Sequence, residues 1–251
     1  MSEKFTILIQ GPLNNVSLKN VENYKKFGNV VISHWDEKKS VIQEKFAILN
    51  DFKNDPKVKI VSAPLPEREE KVGILKDSTF YWAVESCYHG FEACESEYVI
   101  KTRSDEYFSD LQPMIDQVLK DKGDVFVCGN IFVKSNLECP MHIGDHIFSL
   151  KTKTAQHMYR HLMDMYNGRI NILPWAEQGP SAAEQIVAYS FLRQMGLRAV
   201  DSSWMHVVDI NSLGQYEVRW AFKDETWNSN DKKFINPHEI QNQDDYIRSY
   251  N

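Results

Sequence analysis

Lys101-Thr102-Arg103-Ser104-Asp105-Glu106 follows directly on the apolar run Tyr98-Val99-Ile100. A carboxylate at a strand end is a common way for an α/β protein to place a divalent cation, since ligand sites in such sheets gather at the carboxyl ends of strands. Mg²⁺ or Mn²⁺ is held there by one or two carboxylates together with substrate phosphates. Lys101 and Arg103 beside Asp105 suit a diphosphate as well as a metal. The same residues also read as a strand running out into a polar turn. Two further carboxylates lie at a helix start and in a turn. Glu184 follows the turn Gly179-Pro180-Ser181 at the start of a helical pattern, and Asp145 lies in Ile143-Gly144-Asp145-His146. Ser181 and Glu184 equally match a Ser-x-x-Glu capping box, and the Asp145 segment a β-turn.

The elements that must hold these residues follow from apolar runs and turn signals. Phe5–Ile9, Val30–Ser33 and Val58–Ser62 read as strands, with helical spacing over Leu18–Phe27 and Lys39–Asn54 between them. Gln10-Gly11-Pro12 closes the first strand. The polar stretch Glu67–Lys76 reads as a loop, with Asp77 or Ser78 capping a helix over Thr79–Cys94. Tyr98–Lys101 is a fourth strand, followed by a helix near Leu111–Lys120 and strands at Asp124–Phe132 and His146–Leu150. Helices over Thr154–Tyr166 and Ala182–Met195 precede a late strand, Arg198–Ser202. The early strands are continuous apolar runs rather than alternating ones, which predicts a parallel sheet covered by helices on both faces. The mixed second half predicts some antiparallel strands. The expectation is one domain over residues 1–251, irregular and lightly packed from about residue 226.

With 251 residues and 42% hydrophobic content the chain buries one large core without staples. A net charge of −6 argues against a nucleic-acid binder with a broad basic surface. Cys87, Cys94, Cys128 and Cys139 show no metal-binding spacing and read as free thiols of a reducing compartment. No apolar run reaches the length of a membrane span and the start is polar, so a cytoplasmic protein, at most peripheral on a membrane, is expected.

Several blocks, taken in order, resemble the WavE-type lipopolysaccharide-synthesis family, which belongs with glycosyltransferases of the nucleotide-diphospho-sugar (GT-A) fold. They are Ile7-Leu8-Ile9-Gln10-Gly11-Pro12, Val31-Ile32-Ser33-His34-Trp35, the helix after Lys76, and Tyr98 through Asp105. Cys139-Pro140-Met141-His142-Ile143-Gly144-Asp145-His146 and Ala183-Glu184-Gln185 complete the set. The resemblance implies a mostly parallel mixed sheet flanked by helices, a nucleotide-diphospho-sugar donor, and a glycan acceptor. It also implies a divalent cation, Mn²⁺ or Mg²⁺. Asp105 would occupy the place of the metal-binding Asp-x-Asp motif, here with Arg103 instead of the first acid. His206 would be the late histidine that completes the metal site. Gln10, Gly11 and Pro12 would line the nucleotide pocket. Lys101, Arg103, Ser104, Arg68, Lys76, His146 and Trp35 would contact substrate. Glu184, or failing it Asp145, would be the base of an inverting transfer.

Glycosyl transfer breaks a sugar–phosphate bond through an oxocarbenium-like transition state, so charge on the departing diphosphate needs a cation and the acceptor hydroxyl needs a base. A sugar nucleotidyltransferase would need a longer glycine-rich phosphate loop than Gln10-Gly11-Pro12-Leu13. A non-catalytic glycan- or nucleotide-binding module stays open because of the arginine at 103, with Trp35, Trp82 or Trp175 as stacking surfaces. His157 and His161, four apart, read as a solvated helical face. Gln215 through Trp220 is one residue too long for the Gln-x-x-Arg-Trp signature of processive polymerases.

Overall fold

The first strand, β1 (Phe5–Gln10), is buried at all six positions. Phe5, Ile7 and Ile9 enter one apolar cluster and Leu8 the opposite one, as the period-two geometry of a strand covered on both faces requires. The computed structural model describes residues 4–13, 15–36, 49–64, 80–131, 133–134, 139, 141–167, 182–198, 201–220, 225–228, 240 and 242–250. Beside β1 lie β2 (Asn29–Asp36), β3 (Val58–Pro64) and β4 (Tyr98–Arg103), all parallel. The sheet continues through β6 (Phe126–Gly129), β7 (Phe148–Lys151) and β8 (Met205–Val208) in the order β3-β2-β1-β4-β7-β6-β8. Only β7 runs against its neighbours within this sheet. The mostly parallel, mixed α/β sheet anticipated from the strand patterns is observed.

Helices α1 (Asn15–Tyr24) and α3 (Gln112–Lys120) cover one face, where Val21, Tyr24, Met114 and Val118 meet Ile7, Ile9 and Ile100. Helices α2 (Phe80–Glu92), α4 (Thr152–Tyr166) and α5 (Ala182–Met195) cover the other, where Phe91, Tyr159, Phe191 and Phe148 pack together. No helix among the described residues is long and apolar enough to cross a membrane. The described cysteines are all free, and Cys87, Cys94 and Cys128 are buried.

Directly after β4 the chain leaves the large sheet. Ser104 and Asp105 form a two-residue junction to β5 (Glu106–Phe108), which pairs antiparallel with β9 (Tyr216–Trp220). That strand pairs in turn with β10 (Glu225–Asn228), closing a second, three-stranded sheet that the sequence reading missed. Of the late strand expected at Arg198–Ser202, residues 199–200 lie outside the described ones, and a described strand follows at Met205–Val208. Asp201 accepts from the backbone N–H of Ser203 and caps a 3₁₀ turn over Ser202–Trp204, so β8 begins only where the apolar run can pair with β6. Part of the terminal segment expected to be irregular is ordered. α6 (Gln243–Arg248) is capped by Asn242, buries Tyr246, and holds β8 through Gln243 Oε1, which accepts from Val207 N–H at 2.7 Å. His161 is not solvated as expected: it is buried between α4 and α5 against Ser190 Oγ at 2.9 Å, whereas His157 is exposed. The helix expected over Lys39–Asn54 is described only at residues 49–52, and the Glu67–Lys76 loop and its Asp77 or Ser78 cap lie outside the described residues.

Gly11 joins the ends of three strands. Its N–H donates to Ser33 O at 3.0 Å, and Ser104 N–H donates to Gln10 O at 2.8 Å. Its φ of 127° lies where L side chains rarely go, and an added Cβ would stand 2.7 Å from Ser104 Oγ. That hydroxyl cannot move away freely, because it donates to Pro12 O at 2.6 Å. Gly11→Ala is therefore expected to lower stability by about 1–3 kcal/mol, measured by urea denaturation. An unchanged midpoint would show that the junction yields without cost.

Candidate active site

The carboxyl ends of β1 and β4 lie side by side, with Gln10 opposite Arg103 in the register. Arg103 folds back as a fork on Asp105, its Nε 2.9 Å from Oδ1 and its Nη2 2.8 Å from Oδ2. The same Nε lies 3.3 Å from Glu106 Oε1. Glu106 has no solvent exposure, and its Oε1 also accepts from Nδ1 of His146, from a segment forty positions on. Asn20 Nδ2 and Ser17 Oγ on α1 donate to the backbone carbonyls of Glu106 and Ser104, fixing the junction from below.

Residues 141–147 lead into the start of β7. Gly144 lets this segment press on β6, since a Cβ there would be 2.2 Å from Gly129 O. Met141, with φ of 60°, turns the chain before His142. Lys101, only 3% exposed, donates from Nζ to the carbonyl of Asp145 at 2.5 Å. Burial acts to raise the Asp145 carboxyl, but nearby positive charge, chiefly from Lys101, His146 and Arg103, outweighs it and holds that group below its ordinary value.

Glu184, in the first turn of α5, meets the same segment. Its Oε2 lies 3.8 Å from Nε2 of His142, beyond hydrogen-bond reach. Among the described residues, Glu184 Oε2 and His142 Nδ1 have no hydrogen-bond partner although both are buried. Burial first, then the negative charge of Asp145, pushes the Glu184 carboxyl up to about 7. Burial, then Lys134, pushes His142 down to about 4, so its ring is neutral at pH 7. Two carboxylates in one cluster are thus driven in opposite directions, the arrangement that separates an ionised carboxylate from a proton acceptor.

Of the anticipated site residues, Arg103, Asp105, Lys101, Asp145, His146 and Glu184 are brought into one charged cluster. Ser104 is fully buried and spends its hydroxyl on Pro12 O, and Lys101 is turned inward, so both position backbone rather than face a cleft. Gln10 and Gly11 are buried and Pro12 partly exposed at the same strand ends. Trp35 lies at the end of β2 in edge contact with Trp82, 6.1 Å between centroids. His206 is not part of the cluster. It sits on β8 in register with Val127, three strands from β4 and so about 14 Å away across the sheet. It lines a separate cavity of about 340 Å³ with Gln117 and Gln243. Arg68, Lys76 and Trp175 lie outside the described residues. Sequence reasoning missed Glu106 and His142, both inside quoted stretches, since nothing local distinguishes a buried acid from an exposed one.

The implied cation fits these donors poorly. Both oxygens of Asp105 are taken by Arg103, one oxygen of Glu106 is shared by Arg103 and His146, and His206 is remote. Among the described residues no group of three His, Cys, Asp or Glu is arranged to hold a metal.

No family model and no curated protein matches the chain. Among solved structures it is similar to TarS 1-349 from S. aureus, at 11% identity and a TM-score of 0.46, over 82% of this chain and 58% of that one. The chain thus spans less than two thirds of that structure. It is also similar to 4-diphosphocytidyl-2C-methyl-D-erythritol synthase from Anaerococcus prevotii, at 11% identity and a TM-score of 0.48, over 100% and 98% of the two chains. A third is glucosyl-3-phosphoglycerate synthase from Mycobacterium tuberculosis, solved with Mn²⁺, UDP and phosphoglyceric acid. Its identity is 12% and its TM-score 0.40, over 78% and 80% of the chains.

A carboxyl raised in the fold favours folding while it is protonated. The contribution of Glu184 is full below its ordinary value of 4.5 and is lost as pH rises through about 7. Depressed His142 acts in the opposite sense, costing stability as pH falls from 6.5 through about 4. Glu184→Gln is therefore expected to match wild type near pH 4 and to exceed it by about 1–3 kcal/mol at pH 8. Denaturation curves at the two pH values check this. Loss of stability at both would assign Glu184 to helix capping instead.

Proposed function

We propose that this chain is a glycosyltransferase that moves a sugar from a nucleotide-diphospho-sugar to a glycan acceptor, as its resemblance to the WavE-type family implies. The observation that carries the reading is the Glu184–His142–Asp145 constellation at the carboxyl ends of the strands, with Glu184 Oε2 buried and lacking a hydrogen-bond partner among the described residues. Buried polar atoms are rarely left unpaired unless a ligand completes them, and an acceptor hydroxyl between Glu184 and neutral His142 does so.

Glu184 is the general base. With its carboxyl near 7 it accepts the hydroxyl proton at physiological pH far better than Asp145, which is held too acidic. Asp145 contributes instead by its negative charge, which raises the basicity of Glu184. The hydroxyl oxygen attacks the anomeric carbon as its proton passes to Glu184, and the C1–O bond to the phosphate breaks with its electron pair on the departing oxygen. One displacement of this kind inverts the anomeric configuration. The tight turn at Gly11 lets backbone approach the nucleotide, and the Trp35–Trp82 pair offers an aromatic surface beside it.

Glu184→Gln is expected to bind donor within about twofold of wild type while turnover falls by about 10²–10⁴. In wild type, kcat/KM is expected to decline below an apparent pKa of about 7. Donor consumption measured on a panel of nucleotide-sugars checks both. Undiminished turnover in the variant would remove Glu184 from the chemistry. Glycan binding with no donor consumed would identify a non-catalytic binding module.

A further inference from the structure

Glycosyl transfer from a nucleotide-diphospho-sugar leaves a diphosphate, and that leaving group needs positive charge where it departs. Ligands of open α/β sheets bind at the carboxyl ends of the strands, and the β4–β5 junction beside Gly11 lies there. The geometry points to donor binding without a protein-held divalent cation, the Arg103 guanidinium being the built-in charge at that position. This rests on the nucleotide-sugar reading above.

Of the four carboxylate oxygens that a metal would use here, three are already committed, and the fourth, Glu106 Oε2, is buried and has no hydrogen-bond partner among the described residues. Asp105, 4% exposed, places one oxygen on Nε and the other on Nη2 of Arg103. Glu106 Oε1 sits between Arg103 and His146. A divalent ion entering here would have to displace a guanidinium that stays protonated at any working pH. Until it moved, the two like charges would repel at contact distance.

Arg103 itself is suited to the task. Its planar group is locked by the fork to Asp105, so little ordering cost remains when an anion arrives, and 30% of its side chain is open to solvent. Guanidinium groups recognise phosphate through paired, directional hydrogen bonds. Lys101 cannot substitute, being buried on the carbonyl of Asp145. When the sugar–phosphate bond breaks, the electron pair goes to the phosphate oxygen, Arg103 stabilises that charge, and the acceptor proton resides on Glu184. No further reactant is needed for the balance.

The test is calorimetric titration of the full chain with UDP, GDP, CDP and ADP as probes, once in excess EDTA and once in millimolar MnCl₂. The probe that binds is expected to do so with affinities within about threefold in the two buffers. The paramagnetic resonance signal of free Mn²⁺ is expected to be undiminished by the protein alone. Arg103→Gln is expected to weaken that probe by about tenfold or more, with Arg103→Lys intermediate. Because Arg103→Gln leaves Asp105 and Glu106 without their cation, Arg103→Gln combined with Asp105→Asn serves if the single variant misfolds. Binding seen only with Mn²⁺ would overturn the inference while leaving the nucleotide-sugar reading intact. Wild-type affinity retained in Arg103→Gln would overturn the role of Arg103. Failure of every probe in both buffers would overturn the nucleotide-sugar reading, and this inference with it.

Discussion

Glu106 carries a carboxylate with no access to water, and its charge has to be met on the spot. An unpaired buried ion costs several kcal/mol even after relaxation, so Arg103 from the end of β4 and His146 from the approach to β7 both converge on it. That convergence links a β-junction to a segment forty residues away. Arg103 then holds Asp105, and the segment carrying His146 holds Asp145 against Lys101. The site is assembled around the neutralisation of one acid.

The same burial that demands neutralisation for Glu106 leaves Glu184 without it. Glu184 faces Asp145 and a neutral His142 rather than a cation, so its carboxyl keeps its proton to about 7. Asp145, three charged neighbours closer to balance, loses its proton early. Distribution of the cations thus decides which carboxylate is spectator and which is proton acceptor. The charge pattern also explains why a strand end rich in acids is a poor cation cage, since its acids are already ligands of a guanidinium.

Much of the fold was legible because its causes are local. The continuous apolar runs at Phe5–Ile9 and Tyr98–Ile100 require cover on both faces, and the helical periods at Thr154–Tyr166 and Ala182–Met195 are short-range patterns. The second sheet was not legible, because β5 is three residues long and its partner β9 lies more than a hundred positions away. The start of β8 at Met205 was not legible either, since the turn before it is set by Asp201 capping Ser203 rather than by hydrophobicity.

By itself the sequence determined the succession of parallel strands along the chain, the carboxylate at the end of the fourth, and an acid in the first turn of a late helix. Those are properties of neighbours along the chain. Only the tertiary structure decided that Arg103 closes on Asp105, that Ser104 and Lys101 face inward, that His206 stands three strands away, and that Glu106 and His142 belong to the site. Each of these depends on burial and on charges brought from distant segments, and the field at a buried carboxyl is set by what surrounds it in space.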